Sequence, residues 1–189
     1  MQKDNVISVC DEALVALANG EHEAIEVIYD AMARSIYATA LAITRNHADA
    51  EDATQNTILQ VVKYAATYKK GSNPRAFILT VARNRALDIV RQRRSAIPLD
   101  ELPIADEAKN DDEEAVLSLI SPLNECERQL VILRLYEELS YNEIAKIMKI
   151  SVFAAQKRYQ RALGKLKSIH SERSYTDERK RDKEYPEKA

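Results

Sequence analysis

Residues 128–166 constrain this chain more than any other stretch. They run Arg128-Gln-Leu-Val-Ile-Leu-Arg-Leu-Tyr-Glu-Glu-Leu, then Ser140-Tyr-Asn-Glu143-Ile-Ala-Lys-Ile-Met148. A short Lys149-Ile150 corner follows, and then Ser151 and a basic stretch through Arg158, Arg161 and Lys165. Ser140 and Glu143 have the spacing of a capping box that starts one short helix. Ser151 is suited to cap the next. At about 100° per residue, Lys157, Arg158, Arg161 and Lys165 fall on one side of the second helix, and Ala155, Tyr159, Ala162 and Leu166 on another. The pattern is a helix-turn-helix, with one face docked on a small core and the other turned to a major groove. A merely solvated charged face is the ordinary alternative. The agreement of two caps, a tight turn and a segregated basic face favours DNA binding.

The rest of the chain extends the helical pattern. Of 189 residues only 3 are Gly and 5 Pro, and apolar residues recur at helical spacing. No alternating run with hairpin signals appears. The net charge of −2 hides blocks. Between Lys63 and Arg94 the basic residues Lys63, Lys69, Lys70, Arg75, Arg83, Arg85, Arg91, Arg93 and Arg94 are opposed only by Asp88. Lys146 to Lys167 contains basic residues and no acid. Two basic modules in an acidic frame imply two nucleic-acid footprints.

Other classes are disfavoured. Met1 to Cys10 includes Asp4 and lacks a sustained apolar core, so no signal peptide is expected. No apolar run approaches the ~20 residues that span a bilayer. A cytoplasmic chain without membrane insertion is expected. Cys10 and Cys126 are the only cysteines, and His22, His47 and His170 are scattered, so no metal or cofactor is expected. Cys126 reads as a free thiol and His47 as a solvated turn residue. A helical hydrolase with Asp49, Glu51 and Asp52 as metal ligands is a poor rival, because carboxylates in a first helical turn already have a dipole explanation.

The expected fold class is all-α, with two small helical domains joined by an acidic flexible linker, the second a helix-turn-helix. The first spans 11–94. It contains a helical pair broken at Gly20, a helix through Ala31 to Ile43, a turn at Arg45 to Ala48, and a helix opened by Asp49-Ala50-Glu51-Asp52. The breaker-rich loop Lys69 to Pro74 leads to a last helix from about Arg75 to Arg94. Residues 95–115 form the linker, interrupted by Pro98 and Pro103 and rich in Asp and Glu. The second domain spans 116–168, and 169–189 is a charged tail, disordered or a frayed helix.

These residues carry a family resemblance. From about 21 to 167 the chain resembles a bacterial RNA polymerase sigma factor of the extracytoplasmic-function (ECF) group. Asp49-Ala50-Glu51-Asp52-Ala53-Thr54-Gln55 is similar to the family's acidic motif followed by Gln. Asn73-Pro74-Arg75-Ala76-Phe77-Ile78, with Ala82-Arg83-Asn84 and Asp88 to Arg91, resembles its promoter-melting segment. Ser140-Tyr141-x-Glu143-Ile144-Ala145 and Arg161-Ala162 resemble its helix-turn-helix. Asn56 stands where the family usually has an acid, and Phe77 replaces a Trp. Phe153-Ala154-Ala155-Gln156 replaces a Gly-Thr-Val-Lys run, which bears on the identity of the recognised DNA and not on docking.

The resemblance implies partners and roles. Asp49, Glu51, Asp52, Gln55 and Asn56 would meet core RNA polymerase, whose β′ clamp helices, with the β subunit, hold such factors. Lys69, Lys70, Asn73, Arg75, Arg83, Asn84 and Arg91 would read and open the −10 element. Such opening needs an extruded base to be hydrogen-bonded and its backbone held by cations. Tyr68 suits either stacking on a base or a place in the core. Lys157, Arg158, Arg161 and Lys165 would grip the −35 duplex, with Arg158 nearest the base edges. An anti-sigma partner is left open. The alternative function is a conventional helix-turn-helix regulator that is not a polymerase subunit; it would leave the first basic module idle.

Overall fold

The computed structural model describes residues 3–96 and 118–184, with side chains at 5–95 and 118–169. Among them every regular element is helical. The first helix, α1 (Lys3–Ala18), starts well before residue 11. Val6 and Cys10 continue the inward stripe of Ala13, Leu14 and Leu17 towards the N-terminus. Burial pushes the Cys10 thiol up to about 11, so it behaves as a small apolar side chain. Gly20, at φ 92°, closes the helix as expected.

Helix α2 (Ala24–Thr44) buries Ile28, Met32, Ile36, Ala40 and Ile43. It ends on Arg45, which adopts the left-handed conformation and donates its N–H to the Leu41 carbonyl. Asn46 then caps α3 (His47–Tyr64) by accepting the Asp49 N–H at 2.8 Å. The expectation for His47 was wrong. Its side chain is 2% exposed and sits 2.6 Å from the Tyr37 hydroxyl, because the turn folds back onto α2. Ala50, Ala53, Thr57 and Val61 face inward on α3. Their small size suits close approach to α2 and α4.

A 3₁₀ turn (Ala65–Thr67) leads through the 68–73 loop to α4 (Pro74–Ala96). Asn73 accepts the Ala76 N–H at 2.9 Å, and proline occupies the first helical position. Ile78, Leu79, Ala82 and Ala86 are fully buried.

The linker lies outside the described residues apart from Ser95 and Ala96. Beyond it, α5 (Glu125–Val131) starts at an Asn124–Glu127 capping box and widens into a π-turn (Ile132–Tyr136). The Ser140–Glu143 box forms as expected and starts α6 (Tyr141–Met148), which closes on Lys149 at φ 54°. Ser151 accepts the Ala154 N–H at 3.1 Å and caps α7 (Val152–Glu184). This helix continues through most of the expected tail.

The two helical segments share a core. Ile78 and Leu79 belong to the same buried cluster as Leu130, Leu133, Leu139, Ile144 and Ile147. Arg128, also buried, donates to the Ala42 carbonyl at 2.9 Å and the Leu123 carbonyl at 2.6 Å. A guanidinium withdrawn from water needs such acceptors.

Candidate nucleic-acid interface

On α3, Asp49 pairs with Arg93 at 2.8 Å and ties the start of α3 to the end of α4. Glu51 is half-buried, while Asp52, Gln55 and Asn56 are exposed. Leu59 extends the same ridge and is 66% exposed. Sequence reasoning missed it, although its seven-residue spacing from Asp52 places it on that face. Among the described residues no group of three or more His, Cys, Asp or Glu is arranged to hold a metal.

The 69–73 loop is held from an unexpected direction. Asp11, on α1, accepts hydrogen bonds from the Gly71 N–H at 2.9 Å and from the Tyr68 hydroxyl. Those two bonds, Tyr68's first, hold the Asp11 carboxyl below its ordinary range. Burial, and then the bond to Asp11, push Tyr68 up to about 12. The same hydroxyl proton is shared with the Ser72 carbonyl, 2.9 Å away, and the ring meets Phe77 edge-on at 5.3 Å, so Tyr68 takes the packed alternative. Gly71, at φ 77°, makes the turn, and Lys69 and Lys70 project into solvent.

Three of the expected −10 residues face the second segment. Arg75 is buried and donates to the Glu137 carboxylate at 2.5 Å and the Glu137 carbonyl at 3.2 Å. It was expected on an exposed surface; packing of α4 against the turn after α5 draws it inward. Asn73 donates to the Glu143 carboxylate. Arg83 donates through Nε to Gln129 at 2.8 Å, and burial lowers its pKa. Asn84 and Arg91 line an open cleft of about 380 Å³ with Arg83, Arg85 and Lys149. Asp88 pairs there with Arg85 at 2.7 Å and, more loosely, with Arg91 at 3.6 Å.

On α7 the basic residues divide. Arg158 donates to the Cys126 sulfur at 3.1 Å. Lys165 contacts the Glu127 carboxylate at 2.7 and 2.8 Å. Burial raises the Glu127 pKa, but Lys165 and the Asn124 N–H outweigh it and the net shift is downward. Both cations thus lean towards α5, at the border of the buried Ala155, Tyr159 and Ala162 stripe. Lys157 and Arg161 point outward and are exposed. Phe153 is also outward and 71% exposed, with the Lys157 ammonium 5.9 Å from its ring. Sequence reasoning treated Phe153 only as a substitution; its signal was a large apolar residue opposite the core stripe.

Residues 28–96 match Sigma-70 region 2, and residues 113–166 match Sigma-70 region 4. The ECF RNA polymerase sigma factor SigK of Mycobacterium ulcerans (strain Agy99) is 30% identical over 166 residues, covering 80% of this chain and 88% of that protein. The RNA polymerase sigma factor CarQ of Myxococcus xanthus is 28% identical over 162 residues, covering 82% and 93%. The solved structure of CnrH in complex with the cytosolic domain of CnrY has a TM-score of 0.69 at 20% identity, over 86% of this chain and 97% of that one. That of RpoE from Bartonella quintana, in complex with the anti-sigma factor NepR, has a TM-score of 0.63 at 21% identity, over 76% and 94%. A region 2 followed by a region 4 defines a sigma factor, a protein that directs promoter-specific transcription initiation with core RNA polymerase. The chain belongs to the ECF RNA polymerase sigma factors.

Proposed function

We propose a division of that activity among three surfaces. The exposed α3 ridge of Asp52, Gln55 and Asn56, with Leu59 at its end, docks on core polymerase. The 69–73 loop and the α4 face of Asn84 and Arg91 capture the −10 strand. The outward face of α7 sits in the major groove of the −35 duplex. Residues 11–94 and 116–168 are then two working units. The observation that carries this is the outward ridge of α7, where Lys157 and Arg161 stand opposite the buried Ala155, Tyr159 and Ala162. Cations displayed there neutralise phosphates and release counterions. The chain supplies no chemistry of its own and works in the cytoplasm; among the described residues no helix is long and apolar enough to cross a membrane.

Asn73, Arg75 and Arg83 are engaged by Glu143, Glu137 and Gln129. The −10 strand reaches those three only once the seam between the segments has parted. An anti-sigma factor, as NepR is in the Bartonella quintana complex, would act by holding such surfaces out of reach.

The test is run-off transcription with core polymerase on genomic fragments, combined with permanganate footprinting. Asn84→Ala is expected to reduce melting at −10 while leaving closed complexes intact. Normal melting removes α4 from strand capture. Binding to DNA without association with core polymerase would instead favour a conventional helix-turn-helix regulator.

A further inference from the structure

Phe153 is the most exposed large apolar side chain among the described residues. It is the second residue of α7, two positions after the Ser151 cap. Counting about 100° per residue from Ala155, it lies nearly opposite the buried stripe, on the same outward line as Lys157 one turn later. Among the described residues nothing covers it, and the Lys157 ammonium lies 5.9 Å from the ring. A bare phenyl ring in water stabilises nothing in the folded chain, so burial in a partner is what gives the position value. Three features identify that partner. The ring is at the N-terminal end of a recognition helix, the end that meets base edges. Its surroundings are cationic, through Lys157 and Arg161, with no acid between Lys146 and Lys167. In the major groove, the apolar group that base pairs present is the thymine C5-methyl.

We infer that Phe153 is a specificity-determining residue that packs on a thymine methyl in the −35 duplex, with Lys157 holding the adjacent phosphate. The inference rests on the assignment of α7 to the −35 element. Hydrogen-bonding side chains cannot supply this preference, because the methyl neither donates nor accepts. Phe153 therefore distinguishes thymine from uracil, which differ at that position by the methyl alone.

The experiment uses the full chain assembled with core polymerase. Preferred −35 sequences are selected from duplexes randomised there, and each selected thymine is then replaced singly by deoxyuridine. At one position the wild-type holoenzyme is expected to lose about fourfold in affinity, the worth of one buried methyl-sized group. Phe153→Ala should bind the thymine and uracil duplexes alike, whereas Phe153→Leu should keep part of the difference. The side chain is exposed, so neither change threatens the fold. The inference is overturned if no thymine shows the effect, or if the difference persists in Phe153→Ala. It is also overturned if Phe153→Ala weakens assembly with core polymerase instead, which would make the ring a protein contact. A selection that returns no −35 preference at all overturns the assignment of α7 together with the inference; a clear preference without a methyl effect overturns the inference alone.

Discussion

The seam between the two helical segments and the outward ridge of α7 are built from the same residue types and behave oppositely. In the seam, Arg75 is withdrawn from water, and its carboxylate partner Glu137 has a side chain only 1% exposed. On the ridge, Lys157 and Arg161 stay solvated. A cation in the seam is held by fixed acceptors and contributes to one conformation. A cation on the ridge keeps its hydration and remains available to a polyanion. Residue type alone therefore does not tell an available cation from a packing contact; the difference lies in what the neighbouring helix presents.

The comparison is broken most forcefully in the seam. Glu137→Ala leaves the Arg75 guanidinium buried beside a carbonyl alone, and about 3–5 kcal/mol of stability should be lost. Urea unfolding monitored by circular dichroism checks this; a loss under 1 kcal/mol would mean that Arg75 swings out to solvent. Asp11→Ala should cost less, about 1 kcal/mol, because the hydrogen bonds it removes are partly solvated. Its larger consequence should be a loosened 69–73 loop, read as faster amide exchange at Gly71.

Acid should sharpen the contrast. Glu127 and Glu143 both titrate below their ordinary 4.5. For Glu143, burial alone would raise it, but Ser140 and Asn73 prevail. Groups depressed in the folded state contribute stability above their unfolded pKa and lose it as pH falls through the folded value. Tm should therefore decline as pH is lowered below about 4.5, and Glu127→Gln should make that decline shallower. A Tm that stays flat through this window would detach both carboxylates from the stability of the fold. The smallest effect on stability belongs to the ridge. Arg161→Ala should change unfolding free energy by less than about 0.5 kcal/mol. Yet it should lower the salt dependence of duplex binding by about one ion.

What the sequence disclosed was local. The Ser140–Glu143 box, the Ser151 cap and the break at Gly20 are decided within a few residues, and each forms as read. What it concealed depends on distant partners. Nothing beside His47 announces Tyr37, and nothing beside Arg75 announces Glu137. Residues 3–10 fall outside the first domain as read, although α1 runs from Lys3, and nothing beside Asp11 announces the loop at Gly71 that it holds. On α7 the wheel separated core from solvent correctly, but it could not show that α5 would engage Arg158 and Lys165 from the side.

Asp11 has a consequence for modularity. The stretch that matches region 2 begins at residue 28, whereas the carboxylate that pins the 69–73 loop lies on the helix before it. Exchanging residues 28–96 between relatives would therefore graft a loop away from its fastening. Under the proposed −10 role of the loop, a chimera that carries the donor's α1 along with the graft should inherit the donor's −10 preference more faithfully than one that does not.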